Sequence, residues 1–254
     1  MENLFGAPGV PAGYAAYRPA VHPCVMEKVY KALDRPGPFC RALDVGCGAG
    51  VSTKALENFA SHCVGIEPVE SMLRWTRTVA PRADFIVGCA EAIPAGDGSI
   101  DLMTAAGSLN YVDLKSFFCE AARVLSPAGV LVVYDFLPGR RFREGAELED
   151  WFLNFKSQYP PPRQHARPLD PTILAELNLG FRVRSHEHFE IGIRMTPEFY
   201  LEYMMTETNV AAALRDGASD SDIRSWCAKS LAPVWDGGPR EVLFEGYFAC
   251  MTAG

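Results

Sequence analysis

Three glycines at alternate positions, Gly46, Gly48 and Gly50, follow directly on the apolar run Ala42-Leu-Asp-Val45 and lead into a helix-like stretch from Ser52 to Phe59. Glycine is needed where a chain turns through positive φ, or where backbone must touch a ligand with no Cβ between them. The helix that starts after such a turn offers N–H groups that no helical carbonyl satisfies. Two acids accompany the turn. Asp44 precedes it, and Glu67 closes the run Cys63-Val-Gly-Ile-Glu67 about 20 residues further on, where a carboxylate meets ribose hydroxyls. Such a set holds a nucleoside-bearing small molecule.

The glycine spacing narrows the ligand. In a nicotinamide-binding turn the third glycine comes one residue later, G-x-G-x-x-G, and two phosphates sit on the helix end. A G-x-G-x-G turn with an acid before it suits a ligand without phosphates, whose ammonium group an acid can hold. S-adenosylmethionine (AdoMet) carries an amino-acid tail of that kind. The spacing opposes a nicotinamide oxidoreductase.

The elements that must position these residues follow from periodicity. Short apolar runs alternate with helical stretches: Ala42–Val45, Ser52–Phe59, Cys63–Ile66, Glu70–Val79, Asp84–Val87, Ile100–Ala105, Asp113–Leu125 and Val130–Phe136. This is the rhythm of a doubly wound α/β sheet. Asp113 is placed as a helix N-cap. Beyond Phe136 a helix is expected over Ala146–Ser157, another from Asp170-Pro171 with Gly180 closing it, a long half-exposed strand over Phe181–Ile193, helix over Pro197–Leu231, and a last strand over Val242–Met251. The expected fold is a Rossmann-like, seven-stranded sheet whose last strand is antiparallel, with a helical cap made by two insertions. It reads as one domain over 1–254, its core about 38–136, 170–195 and 241–254, its cap or lid about 1–30, 137–169 and 196–240.

Composition narrows the partners. Of 254 residues 48% are hydrophobic and 22% charged, as in ordinary globular chains, and the net charge of −7 gives no positive field to collect nucleic acid. No basic stretch followed by an apolar run marks the N-terminus as a secretory signal, and no apolar segment reaches the ~18 residues of a membrane span. The eight cysteines form no C-x-x-C pair and read as reduced thiols of a cytoplasmic protein. Although Cys47, Cys63 and Cys89 lie near the glycine turn, they read as small buried residues rather than as thiols for an arsenic acceptor. His186, His188 and Glu190 share one strand face, but nothing closes a metal site there, and no metal is expected.

With these motifs in hand, the chain resembles the class I AdoMet-dependent methyltransferases, in particular the bacterial "type 11" group, and is distantly similar to the quinone C-methyltransferases and trans-aconitate methyltransferase. The resemblance runs from Tyr14 to about Phe136 and more loosely beyond. It implies that Asp44, Gly46, Cys47, Gly48 and Gly50 hold the methionine part of AdoMet and Glu67 its ribose. Pro68 and Met72 with the segment Gly88-Cys89-Ala90-Glu91 would then flank the adenine, and Ala106 begins the loop below the sulfonium. Where the family often has Asp, this chain has Cys89, which leaves the adenine amino contact to Glu91 or a water. Many members carry His-Trp where this chain has Asn110-Tyr111, so no histidine base stands there. Tyr14-Ala-Ala-Tyr17-Arg18-Pro19 resembles a lid motif, in which Tyr17 and Arg18 reach the cofactor tail; a surface helix end with Arg18 in water is the equal alternative.

Methyl transfer from AdoMet leaves neutral S-adenosylhomocysteine, so the leaving group needs no acid and alignment does most of the work. A base matters only for an O–H or N–H acceptor; Tyr111 and His165 are the candidates, packing being the commoner role for Tyr111. The insertions are expected over the strand ends, with Tyr14, Trp151, Phe152, Phe155, Tyr200 and Tyr203 around a small organic acceptor, oxygen or nitrogen being favoured over carbon. A non-methylating AdoMet-binding protein is the alternative reading. Acceptor and oligomeric state are not legible.

Overall fold

The apolar run before the glycines folds as strand β1 (Phe39–Val45), with Ala42, Leu43 and Val45 buried, as expected of a central strand covered on both faces. The computed structural model describes residues 10–162, 166–235 and 238–254. After β1 come α3 (Val51–Leu56), β2 (Ala60–Glu67), α4 (Glu70–Leu73), α5 (Thr76–Val79), β3 (Asp84–Val87), β4 (Ile100–Ala106), α6 (Leu114–Val124) and β5 (Leu125–Phe136); α1 (Val10–Tyr17) and α2 (Val21–Leu33) precede them. The stretch expected as one helix over Glu70–Val79 is two single turns, α4 and α5, with Arg74 and Trp75 between.

The strands lie in the order β3-β2-β1-β4-β5-β8-β6, with β7 (Phe181–Met195) paired to β8 (Arg240–Ala253). Strands β1 to β5 are parallel, and β8 runs antiparallel to β5. This is the expected Rossmann-like mixed sheet. It has eight strands rather than seven because Arg141–Phe142 forms a two-residue strand β6 on Val242 and Leu243, too short to leave a periodic signal. Strand order reverses at β1 and β4, so the carboxyl ends of these strands form the crevice where ligands of open α/β sheets bind.

Helix α6 shows why the sheet stays covered. Leu114, Phe117, Phe118, Ala121 and Val124 recur at three- and four-residue spacing, are buried, and share a core cluster with Leu131, Val133, Ala249 and Met251 of the sheet. Asp113 caps the helix, accepting from Ser116 N at 2.8 Å. Asp170 does the same for α8 (Pro171–Glu176), accepting from Ile173 N at 2.8 Å with Pro171 in the first turn. That helix ends earlier than Gly180, because Asn178 already turns left-handed at φ 52°.

Two compact units divide the chain: Met1–Val21, Leu137–His165 and Glu190–Glu245 make one, and His22–Phe136, Ala166–Phe189 and Gly246–Gly254 the other. All but the first residue of α2 falls with the sheet, whereas residues 190–195 and 241–245, read from sequence as core, fall with the helices. The helical unit contains α7 (Glu147–Gln158), α9 (Pro197–Met204), α10 (Thr208–Arg215) and α11 (Asp220–Leu231); the stretch expected as helical over Pro197–Leu231 is thus three helices, with Gly217 at φ 99° following α10. Its core is built of rings: Trp151 stacks on Phe155 at 5.3 Å, and Tyr200 meets Trp151 edge-on at 5.7 Å. Their polar atoms are satisfied inside the unit, since Tyr200 OH donates to Gly139 O and Trp151 Nε1 to Ser230 Oγ. Among the described residues no helix is long and apolar enough to cross a membrane.

Candidate functional site

The glycine turn leaves β1 at the carboxyl edge of the sheet with Gly46, Gly48 and Gly50 at φ 73°, 55° and 91°, all left-handed. Gly46 has a second reason to be glycine, since a Cβ there would lie 2.4 Å from Ser108 Cβ. Ser108 is held in place by donating its hydroxyl to Val45 O at 2.6 Å. The turn is also tied to β2: Gly46 N and Cys47 N both donate to Ile66 O, at 2.9 and 3.0 Å. Cys47 is buried beside Gly65, where any Cβ would meet its sulfur at 2.7 Å, and burial raises its thiol pKa. It packs the turn onto β2.

Asp44 is fully buried, with its carboxylate accepting from Ser52 Oγ at 2.6 Å, Thr53 Oγ1 at 2.7 Å and Thr104 Oγ1 at 2.9 Å. Burial raises its pKa and the three hydroxyls pull it back. Sequence reasoning assigns this acid to a ligand ammonium; the fold places it beneath the turn, pinning the start of α3 to β1 and β4. Thr104 is the partner that sequence spacing does not reveal, because it is brought alongside only by the β1–β4 register.

Glu67 ends β2 and is 7% exposed. One carboxylate oxygen accepts from Gly48 N and the other from Val69 N, each at 3.0 Å, and burial raises its pKa above the usual carboxylate range. The two anchors read from sequence, the middle glycine and the end-of-strand acid, are therefore in direct contact. Met72 is buried, with its terminal methyl 3.2 Å from where a Cβ on Gly48 would lie, while Pro68 is exposed. Cys89 is exposed and bridges backbone to Ala92; Ala90 is buried, and Glu91 accepts from Asp113 N at 2.9 Å.

Beyond β4 the chain passes Ala106 and Gly107 into a tight turn, Leu109–Tyr111, that leaves Tyr111 47% exposed. Asn110 donates to Asp135 Oδ2 at 2.9 Å, placing a carboxylate from the end of β5 against this loop. Sequence reasoning missed both Ser108 and Asp135, whose positions depend on which strands are neighbours. His165 lies outside the described residues.

The remaining expected residues belong to the helical unit. Arg18 pairs with Glu207 at 2.8 Å, stacks over the Tyr14 ring at 4.1 Å and over Tyr203 at 5.4 Å, and donates to the Tyr14 hydroxyl. Tyr17 packs edge-on against Phe199. Trp151, Phe152, Phe155, Tyr200 and Tyr203 are buried among one another and their neighbours, a packing that accounts for their aromatic character. No cluster of His, Cys, Asp or Glu among the described residues is arranged to hold a metal.

Residues 43–133 match the model of a methyltransferase domain family. An uncharacterized methyltransferase of Mycobacterium bovis is 33% identical over 131 residues, 52% of this chain and 51% of the relative. A demethylmenaquinone methyltransferase of Renibacterium salmoninarum is 35% identical over 100 residues, 39% of this chain and 42% of the relative. The chain thus spans about half the length or less of these curated relatives. A solved structure of a proposed type II methyltransferase from Anaeromyxobacter dehalogenans aligns with a TM-score of 0.70 at 23% identity, covering 94% of this chain and 98% of that one, and shares its fold. The matched segment carries the glycine turn, Glu67 and the β4 loop.

Proposed function

We propose that the methyltransferase domain this chain carries at residues 43–133 serves an AdoMet-dependent enzyme that methylates a small organic acceptor, at oxygen or nitrogen in preference to carbon. The observation that carries this is the contact between Glu67 and Gly48 N at the crevice. It joins a left-handed glycine cradle, which any side chain would fill, to a carboxylate at the ribose position, with no cluster of basic side chains in the turn for phosphates. AdoMet, when bound, supplies an electrophilic methyl on a sulfonium.

In this reading Gly46, Gly48 and Gly50 let the backbone approach the methionine part. Glu67 accepts from the ribose hydroxyls, and Met72 lies under the adenine side with Pro68 and the Cys89–Glu91 segment. Asp44 contributes at one remove, by fixing the N-terminal turn of α3 beneath the cradle. Alignment in such a crevice supplies about 7–11 kcal/mol of a barrier without a strong acid or base. Tyr111, the exposed side chain of the β4 loop, would line the acceptor's side.

Incubation with methyl-labelled AdoMet and fractionated metabolite extracts tests the proposal. Label should appear in a low-molecular-weight product and not in nucleic acid. AdoMet binding with no methylated product in any pool would favour a non-methylating AdoMet-binding protein.

A further inference from the structure

Asp135 is the acid at this crevice that the reading above leaves without a role. It stands at the penultimate position of β5 and is only partly buried, unlike Asp44. Its carboxylate is oriented from two sides: Phe136 N donates to Oδ1 at 2.8 Å, and Asn110 Nδ2 donates to Oδ2 at 2.9 Å. Gly107 makes room for it. At φ 63° this residue has no Cβ, and one placed there would lie 2.9 Å from Asp135 Oδ1.

Those contacts continue to the cofactor cradle. Gly107 is followed by Ser108, whose Cβ would stand 2.4 Å from a Cβ on Gly46. The carboxylate thus lies where a side chain on Gly107 would stand, and the next residue, Ser108, lies where a side chain on Gly46 would stand. Across the β5–β8 ladder Asp135 is paired in register with Tyr247, which is 7% exposed, and Asp135 is itself partly buried, so its charge is less screened than one at an open surface. Glu67 and Glu91, by contrast, serve the ribose and adenine side of the same edge, and Asp44 is buried among hydroxyls.

We infer that Asp135, held by Asn110, sets a fixed negative charge behind the β4 loop that makes the site prefer the sulfonium donor to its neutral thioether product. The inference rests on AdoMet being the ligand. Transfer would form a bond from an acceptor lone pair to the methyl carbon while the S–CH3 pair returns to sulfur, leaving a neutral thioether and passing the positive charge to the acceptor. A fixed carboxylate nearby then loses its attraction and the product is released more readily. Asp135 is a specificity-determining residue in this account and takes no proton.

The test is calorimetric titration of AdoMet, S-adenosylhomocysteine and sinefungin, an analogue carrying an ammonium in place of the sulfonium, into the full chain and two neutral variants, Asp135→Asn and Asp135→Ser. Either variant that melts like the parent serves. The neutral variant should weaken AdoMet and sinefungin about tenfold and leave S-adenosylhomocysteine within about twofold. Asn110→Ala, which keeps the charge and loosens its clamp, should retain most of the preference. Equal weakening of all three ligands by the neutral variants, or an unchanged AdoMet to S-adenosylhomocysteine ratio, overturns the inference while AdoMet remains the ligand. Failure of the parent chain to bind any of the three overturns the AdoMet reading itself.

Discussion

Glu67 is held by two backbone N–H groups before any ligand arrives, one from the glycine turn and one from the residue leading into α4. Removing it takes away the ribose partner and leaves those two donors unmet. Glu67→Ala should therefore weaken AdoMet binding by about 1–3 kcal/mol, measured by calorimetry. Its pKa is raised by burial, so folding disfavours the ionised carboxylate relative to the unfolded chain: the contribution to stability is full below the unfolded value near 4.3 and is lost as pH rises through the folded value. Ribose hydroxyls prefer the ionised form. AdoMet affinity should then fall as pH is lowered through the folded value, and Glu67→Gln should bind weakly with that pH dependence removed. The glycines should also rank. Gly46→Ala meets Ser108 at 2.4 Å and should abolish binding, whereas Gly48→Ala meets only the flexible end of Met72 at 3.2 Å and should bind more weakly than the parent but measurably. Sequence spacing identified the turn and Glu67. It could not show that Asp44 faces inward, because its three hydroxyl partners include Thr104, 60 residues away.

At the scale of elements, two helix ends carry separable costs. Asp113 accepts from Ser116 N at the start of α6, and its own N–H donates to Glu91. Asp113→Ala should cost about 1 kcal/mol in urea denaturation. In the helical unit, Arg18 ties α1 to the α9–α10 corner through Glu207, with both side chains mostly shielded. Arg18→Ala leaves Glu207 without that partner and should cost about 2 kcal/mol, with loss of helix signal from α1 in hydrogen exchange. Strands β1, β2, β4 and β5 are legible because each contains a short apolar run, whereas the two-residue β6 leaves no such signal. Where periodicity blurred, the fold had other reasons: α4 and α5 are single turns, and Thr206–Glu207 and Asp216–Ser219 interrupt a stretch that is apolar enough to read as one helix.

For the whole molecule, the sheet unit holds the glycine turn, Glu67, Met72 and the Cys89–Glu91 segment, whereas Tyr17, Arg18 and the aromatic residues expected around the acceptor belong to the helical unit. The doubly wound class of the sheet could be anticipated from the alternation, but the partition into units could not, since it depends on contacts among segments 100 residues and more apart, such as Arg18 with Glu207. AdoMet at a hundredfold excess over its Kd should stabilise the chain by about 2.7 kcal/mol, a rise in Tm of roughly 5–10 °C. In hydrogen exchange the added protection should concentrate at the strand ends around 46–50, 67–72 and 106–111. The most direct test of the central claim is calorimetric titration of the full chain with AdoMet and NADH in parallel. Saturable one-site binding of AdoMet with none of NADH is the predicted result; tight NADH binding with none of AdoMet would contradict the account.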